Sequence, residues 1–345
     1  GVDGAKSWPV DQTDSLQRLD SCIKELVSDR IGVFTIPGTS SSIDILLDEK
    51  TEVNDLRPYI DTIRRVKSAS EIQYMQEAAS IASSAHEKAM RNSRPGMGEW
   101  EIQAMVEGHF MSSQSQWSFP SIVGGGDNAT VLHYKDNNQV IGSGDLVLVD
   151  AGCEVSGYAS DITRTWPVNG RFSQPQREIY NLVLKAELAG IEACQPGMPW
   201  VSMHEAVCVT IAEGLIELGV LNCTLEDALG RVAGKPGVFE GQIRNFFMHG
   251  TGHFLGLDVH DVGGGRQGDP NSSFLLEPGM VLTIEPGLYF GSWRNDILIP
   301  ERYAGIGIRI EDDVLVTEQG PFVLSSSCPK MLDEIEQIVG RGEYN

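Results

Sequence analysis

No stretch of this 345-residue chain holds the roughly 18 consecutive apolar residues that a membrane-spanning helix needs, which argues against a membrane protein. Positive charge is scarce: 26 Lys and Arg stand against 48 Asp and Glu, a net charge of −22. Phosphate backbones and anionic lipid repel so acidic a surface, so nucleic-acid binding is not expected. Cysteine is sparse. The six (Cys22, Cys153, Cys194, Cys208, Cys223, Cys328) show no Cys-x-x-Cys spacing, which excludes a zinc ribbon or dithiol motif and leaves buried free thiols as the expectation. A Gly-x-Ser-x-Gly elbow is missing, which weakens Ser-His-Asp catalysis. The Gly-rich runs VGGGDN (123–128) and VGGGRQG (262–268) lack the Lys-Ser/Thr ending of a phosphate loop. The chain opens on Gly1 without a basic–apolar–small leader. Cytoplasm is therefore the expected compartment, with a mitochondrial matrix after removal of a transit peptide as the alternative.

What remains is a globular composition, 41% apolar and 21% charged, long enough for one large domain or two ordinary ones. Residues 14–28 (DSLQRLDSCIKELVS) set Leu16, Leu19, Ile23, Leu26 and Val27 on one helical face. IGVFTI (31–36) reads as a buried strand stopping at Pro37-Gly38, and TSSSID (39–44) as a loop. Ser68 and Glu71 have capping-box spacing and open a long helix to about Arg91. A domain boundary is placed near residue 62. Beyond it one pattern occurs twice. A long helix ends in RPGM (94–97) before a second from Glu99 to about Ser113, and QREIYNLVLKAELAGIEAC (176–194) ends in QPGM (195–198) before a helix to about Leu218. Strand-like segments follow both, so an internal duplication is expected.

The chemical signal is acid inside apolar strands. DLVLVDAG (145–152) and GYASDITRTWPV (157–168) are spaced for an antiparallel hairpin, and MVLTIEPGLYF (280–290) with IGIRIEDDVLVT (306–317) forms a second candidate pair. Asp150 ends LVLV, Asp161 ends GYAS, Glu285 follows VLTI and Glu311 follows GIRI. A turn near residues 155–156 would make Asp150 and Asp161 face each other. A lone Asp at a strand end is ordinarily a turn or cap residue. Four acids are another matter, because a buried carboxylate is costly unless it is paired or binds a metal. HGTGHFLGLDVH (249–260) adds three of the seven histidines. His249 and His253 imitate a helical zinc pair, but Gly250 and Gly252 argue against a helix. Hard oxygen donors with one imidazole, His253, suit Mn²⁺, Co²⁺ or Zn²⁺ in a two-ion site better than a Cys-type zinc.

VDAGCEVSGYASDITRTWPVNGRF (149–172), FFMHGTGHFLGLDVHDVG (246–263), TIEPGLYF (283–290) and GIGIRIEDDVLVTEQG (305–320) closely resemble aminopeptidase P (X-prolyl aminopeptidase), one of the pita-bread metallopeptidases. The likeness runs from about residue 62 to 340. It implies an α/β (α+β) pita-bread fold, with two pseudo-symmetric halves around a curved, mostly antiparallel sheet. On that reading residues 63–345 form the catalytic domain, and residues 1–62 a truncated, small α/β N-terminal domain. In the family that domain helps to form oligomers and to wall the site off from long peptides. The resemblance further implies two divalent ions, Mn²⁺ foremost and Co²⁺ or Zn²⁺ as alternatives, on Asp150, Asp161, His253, Glu285 and Glu311. Glu285 would be the general acid/base, passing a proton from a metal-bridging hydroxide to the leaving proline nitrogen. His260 would hydrogen-bond the scissile peptide and His133 would stand near the leaving group. His249 and Arg309 would contact substrate. Implied partners are peptides with proline at the second position and further copies of the chain, as a dimer or tetramer. Trp117, Phe119, Tyr158 and Trp166 are candidate walls for a pyrrolidine ring. Prolidase, an X-Pro dipeptidase, shares the ligands, and SDITRTWPVNG (160–170) favours aminopeptidase P over it. An organellar intermediate-cleaving peptidase is the other rival of this fold. A catalytically silent binding module would have lost ligands, and all five are present.

Overall fold

The computed structural model describes residues 9–11, 13–28, 32–47, 52–262 and 274–342; the glycine-rich run from Gly263 to Gly268 lies outside them. The chain divides into two compact units, Gly1–Ile63 and Arg64–Asn345. The first holds α1 (Leu19–Val27), β1 (Gly32–Thr35), α2 (Ser41–Leu46) and β2 (Glu52–Asp55), with β1 and β2 parallel, and the division falls inside α3 (Arg57–Arg65). Three expectations are corrected here. β1 is half open, with Phe34 lying edge-on to Tyr59 rather than in a core. The loop expected over 39–44 is largely α2, and the Asp44 carboxylate accepts the Gly38 N–H (2.9 Å), closing the turn that leads into it. Leu16 and Leu26 are exposed, so the apolar stripe of α1 is not buried.

In the second unit α4 (Ala69–Asn92) opens on the capping box: Ser68 N–H donates to Glu71 Oε2 (2.7 Å) and Glu71 N–H to Ser68 Oγ (3.4 Å). α5 (Glu99–Ser112) packs on α4, and α6 (Gln174–Glu192) pairs with α7 (Val201–Glu217) in the same way. Both linkers place the glycine of their Pro-Gly step in the left-handed region, φ +87° at Gly96 and +83° at Gly197. The repeated PGM is therefore a repeated backbone turn.

The strands explain how distant acids meet. β3 (Gln116–Trp117) pairs with β6 (Cys153–Val155), and β4 (Ile122–Gly125) pairs with β5 (Leu146–Ala151). The chain reverses between β6 and β7 (Tyr158–Ala159) through Ser156-Gly157, both at positive φ, and then forms β8 (Ile162–Pro167) against β5. That two-residue turn sits one residue later than expected, and the register follows it. Asp150 lies opposite Thr163, and Asp161 is diagonal to it, two residues before Thr163 on the same face. The expected face-to-face pairing of the two aspartates is thus corrected to a diagonal one.

The second hairpin pairs β9 (Val281–Ile284) with β12 (Asp312–Thr317), and β10 (Gly287–Phe290) with β11 (Ile306–Arg309). Ile284 faces Asp312 and Gly287 faces Arg309, so one register runs through the break at Glu285-Pro286 and sets Glu285 opposite Glu311. β13 (Gly320–Val323) covers the end of β12. Glu311 N–H then donates to Thr163 O (3.1 Å), which joins the two hairpins. On the far side Glu285 N–H donates to Thr251 O (2.8 Å) and Thr283 N–H to His253 O (2.9 Å). Thr251–His253, Glu285, Glu311, Thr163 and Asp150 lie on successive neighbouring backbones, and their same-parity side chains share a face.

The helix pairs cover the other side with a large core in which Trp166 is fully buried and donates from Nε1 to Ser93 Oγ (3.0 Å). Gly197→Ala forces a Cβ into the left-handed region and should cost roughly 1–2 kcal/mol. Urea unfolding measures it, and an unchanged midpoint would refute the turn argument.

Candidate metal centre

All four strand acids reach one cavity of about 420 Å³, whose lining includes Asp150, Asp161, Glu285, Glu311, His133, His249, His253, His260 and Arg309. The structure therefore brings every candidate site residue together. Ligand atoms of Asp161, His253 and Glu311 lie within 4.8 Å of one another. His253 Nε2 is 3.4 Å from Asp161 Oδ2 and 3.7 Å from Glu285 Oε1.

Whether these residues fit a cation is answered by their hydrogen bonds. His253 Nδ1 is 3.0 Å from Phe254 O and donates to that carbonyl, which aims Nε2 toward the acids. Asp150 Oδ1 and Asp161 Oδ1 are buried with no hydrogen-bond partner among the described residues. Burial, and then the charge of Asp150, push Asp161 well above the usual carboxylate range; burial, then Asp161 and Glu285, do the same to Glu311. Burial raises Glu285 as well, against the opposing pull of His253 and Arg309. Orphaned carboxylate oxygens that repel one another around an imidazole nitrogen aimed at them are what a divalent cation would satisfy.

Arg309 brings a positive charge from the protein itself. Arg309 Nη2 donates to Asp150 Oδ2 (2.6 Å), Nη1 to Tyr289 Oη (3.0 Å) and Nε to Thr163 Oγ1 (3.1 Å), and that hydroxyl donates to Glu311 Oε2 (2.6 Å). His249 is fully engaged: Nδ1 lies 2.8 Å from Gly250 O and Nε2 2.8 Å from Tyr289 Oη. Burial, then Arg309, lower its pKa to about 3, so the ring is neutral. His260 has no hydrogen-bond partner among the described residues and stands edge-on to His253, ring centroids 4.3 Å apart. His133 is exposed at the cavity wall. Of the four aromatics considered as walls, Phe119 lines the cavity, together with Pro120, Ile122 and Leu132. Trp117 is half exposed, and Tyr158 stacks on Tyr74 and donates to Glu71.

Sequence reasoning missed the supports. Thr163, Tyr289 and Asp313 stand at even spacings from ligands on the same strands, and that parity was the available signal. Asp313, fully buried, accepts the Asp161 N–H on both oxygens (3.1 and 3.2 Å). Arg164 is on the opposite parity and works from behind. Its five N–H groups reach Thr163 O, Glu311 O, Asp312 Oδ1, Cys328 O and Pro329 O, clasping the backbones that carry the ligands.

Donors so arranged suit a divalent cation, as in a metallopeptidase. The chain belongs to metallopeptidase family M24, whose family model matches residues 73–318. It is 40% identical over 335 residues to the Xaa-Pro aminopeptidase of Haemophilus influenzae, covering 96% of this chain and 74% of that protein. Over 286 residues it is 43% identical to the Xaa-Pro aminopeptidase of Escherichia coli, 83% of this chain and 62% of that one. The solved structure of zinc-substituted E. coli aminopeptidase P in complex with product matches with a TM-score of 0.89 at 37% identity, covering 98% of this chain and 77% of that chain. The pita-bread fold expected from the sequence is thereby established.

Two outcomes test the centre. Carboxylates with raised folded-state pKa values bind protons more tightly folded than unfolded, so the cation-free protein loses stability as pH rises through those values. A chelator should lower Tm, and added divalent cation should restore it by more at pH 8 than at pH 5; equal shifts would count against the cluster as the binding site. Arg164→Met leaves the buried Asp312 with Lys330 as its remaining partner cation and removes the donor to four backbone carbonyls, and should cost about 3–5 kcal/mol in denaturant unfolding. A loss below about 1 kcal/mol, the scale of an exposed pair, would show that the clasp is dispensable.

Proposed function

We propose that the protein is a metal-dependent aminopeptidase that removes the first residue from peptides with proline second. The observation that carries this reading is the single-face cluster of four acids and His253, with free imidazoles beside it, in a chain of family M24. Asp150, Asp161, His253, Glu285 and Glu311 would hold two divalent cations. Their oxygen-rich donor set favours Mn²⁺, with Co²⁺ or Zn²⁺ as alternatives. When bound, such cations supply Lewis acidity and lower the pKa of water.

The chain's own residues do the rest. Glu285 holds a proton more readily than an ordinary carboxylate, which suits it to take one from water and hand it to the leaving proline nitrogen. His260, whose ring nitrogens have no partner among the described residues, would bond the scissile peptide, and His133 would stand on the leaving-group side. His249 has no nitrogen to spare and meets substrate through its ring. Arg309 spends its charge on Asp150 and braces Glu311 through Thr163, so its service to substrate is indirect. An X-Pro bond is a tertiary amide with no N–H to donate, and a pocket for its ring is offered by Phe119, Pro120, Ile122 and Leu132. Four buried free cysteines fit a reducing compartment, and we place the enzyme in the cytoplasm.

The test pairs an X-Pro dipeptide with an X-Pro-Y tripeptide on the Mn²⁺-loaded protein. We expect the tripeptide to lose its first residue. Cleavage of the dipeptide alone would make the enzyme a prolidase, and cleavage of neither would leave a binding module.

A further inference from the structure

The segment carrying His260 bulges outward at Leu257 and Asp258, both exposed, and then turns sharply in. Asp261, the next residue after His260, has its side chain turned inward and 1% exposed. Two cations close on it. Arg64 Nη2 lies 2.5 Å from Asp261 Oδ1, and Lys67 Nζ lies 3.2 Å from Oδ2. Lys67 is also 1% exposed, and its ammonium sits 5.9 Å from the Phe254 ring centre. The same Arg64 nitrogen reaches Asp258 Oδ2 (2.8 Å), so one guanidinium ties both ends of 258–261.

The backbone is drawn tight around this pair. Asp261 N–H donates to Phe254 O (2.9 Å), Val262 N–H to Asp261 Oδ1 (2.9 Å), and Gly256 N–H to Asp258 O (3.1 Å). Gly256 passes directly over the carboxylate: a Cβ there would stand 2.1 Å from Asp261 Oδ2 and 3.0 Å from Lys67 Cε. None of Arg64, Lys67 and Asp261 lines the cavity. A desolvated ion pair is a poor source of net stability, so its presence here calls for a geometric reason. His260 supplies one. Among the described residues its ring has no hydrogen-bond partner, so its place against His253 is set by the backbone, and that backbone is pinned at the adjacent residue.

We propose that Asp261, locked by Lys67 and Arg64, is a positioning residue that holds His260 at the cavity wall in reach of substrate. The proposal rests on the aminopeptidase reading for its substrate and extends that reading to a group outside the cavity. A ring displaced by about an ångström costs on the order of a hundredfold in rate, so the latch acts on kcat more than on KM.

A double-mutant cycle on the full-length, Mn²⁺-loaded protein tests it with an X-Pro-Y tripeptide. Asp261→Asn should lower kcat by roughly ten- to a hundredfold at nearly constant KM and metal content. In a His260→Ala background the same change should alter kcat by less than about twofold, because the group it positions is gone. Equal losses in both backgrounds would overturn the proposal, since a general loosening of the fold is indifferent to His260. If Asp261→Asn does not fold, Lys67→Met and Lys67→Arg replace it: the arginine should keep kcat and the methionine should not, and equal effects count against the latch. The NMR signals of the His260 ring, read with ¹³C-labelled histidine, give a measure free of turnover. They should move in Asp261→Asn, and an unmoved ring overturns the latch even if no X-Pro peptide is cleaved. Failure of the unmodified enzyme on every X-Pro peptide would instead strike the functional reading.

Discussion

Repulsion between carboxylates on one face of a sheet is the constraint to which the rest of the molecule answers. Asp150, Asp161, Glu285 and Glu311 are brought together by register, not by attraction, and Arg309 neutralises one of the four. In a dry site the remainder must either bind protons or bind cations. The raised proton affinities of Asp161, Glu285 and Glu311 describe the first state, and the orientation of His253 Nε2 toward the acids prepares the second. A cluster so unfavourable in isolation persists only because the backbone around it is fixed by contacts elsewhere.

Those contacts lie on the sheet's other face, where the same charges are handled differently. Asp312, one residue beyond Glu311, is also fully buried, yet Arg164 and Lys330 outweigh the effect of burial and hold it well below the usual carboxylate range. Lys330 also meets Glu187, Nζ to Oε1 at 2.6 Å. One strand thus carries alternate acids with opposite fates. Glu311 faces the cavity, where carboxylates outnumber cations, and Asp312 faces a compensated ionic network. Period-two geometry keeps the two from mixing, since a slip of one residue would exchange every partner.

Much of this was legible in the sequence because it is local or periodic. The capping box at Ser68, the duplicated Pro-Gly turns and the four acids after apolar runs depend on near neighbours, and each stands where spacing put it. The misses were long-range or marginal. Whether Phe34 or Leu16 is buried depends on what packs over it, which no window of sequence contains. The diagonal relation of Asp150 and Asp161 turned on one residue of turn geometry. Arg164, 147 positions from the carbonyl of Glu311 that it grips, shows no pattern in one dimension.

HGTGHFLGLDVH shows why a count of histidines is a poor guide to ligands. Three imidazoles within twelve residues end in three hydrogen-bonding states. His253 donates from Nδ1 to its neighbour's carbonyl and so directs Nε2 into the cluster, as a ligand requires. His249 is saturated between Gly250 and Tyr289, so it shapes the wall without a free donor. His260 has no hydrogen-bond partner among the described residues and is therefore available, but availability leaves it without that side-chain restraint. The backbone must then do for His260 what hydrogen bonds do for the others. A buried ion pair on the next residue is an economical way to fix a backbone, because its two charges tolerate little displacement in a low-dielectric interior.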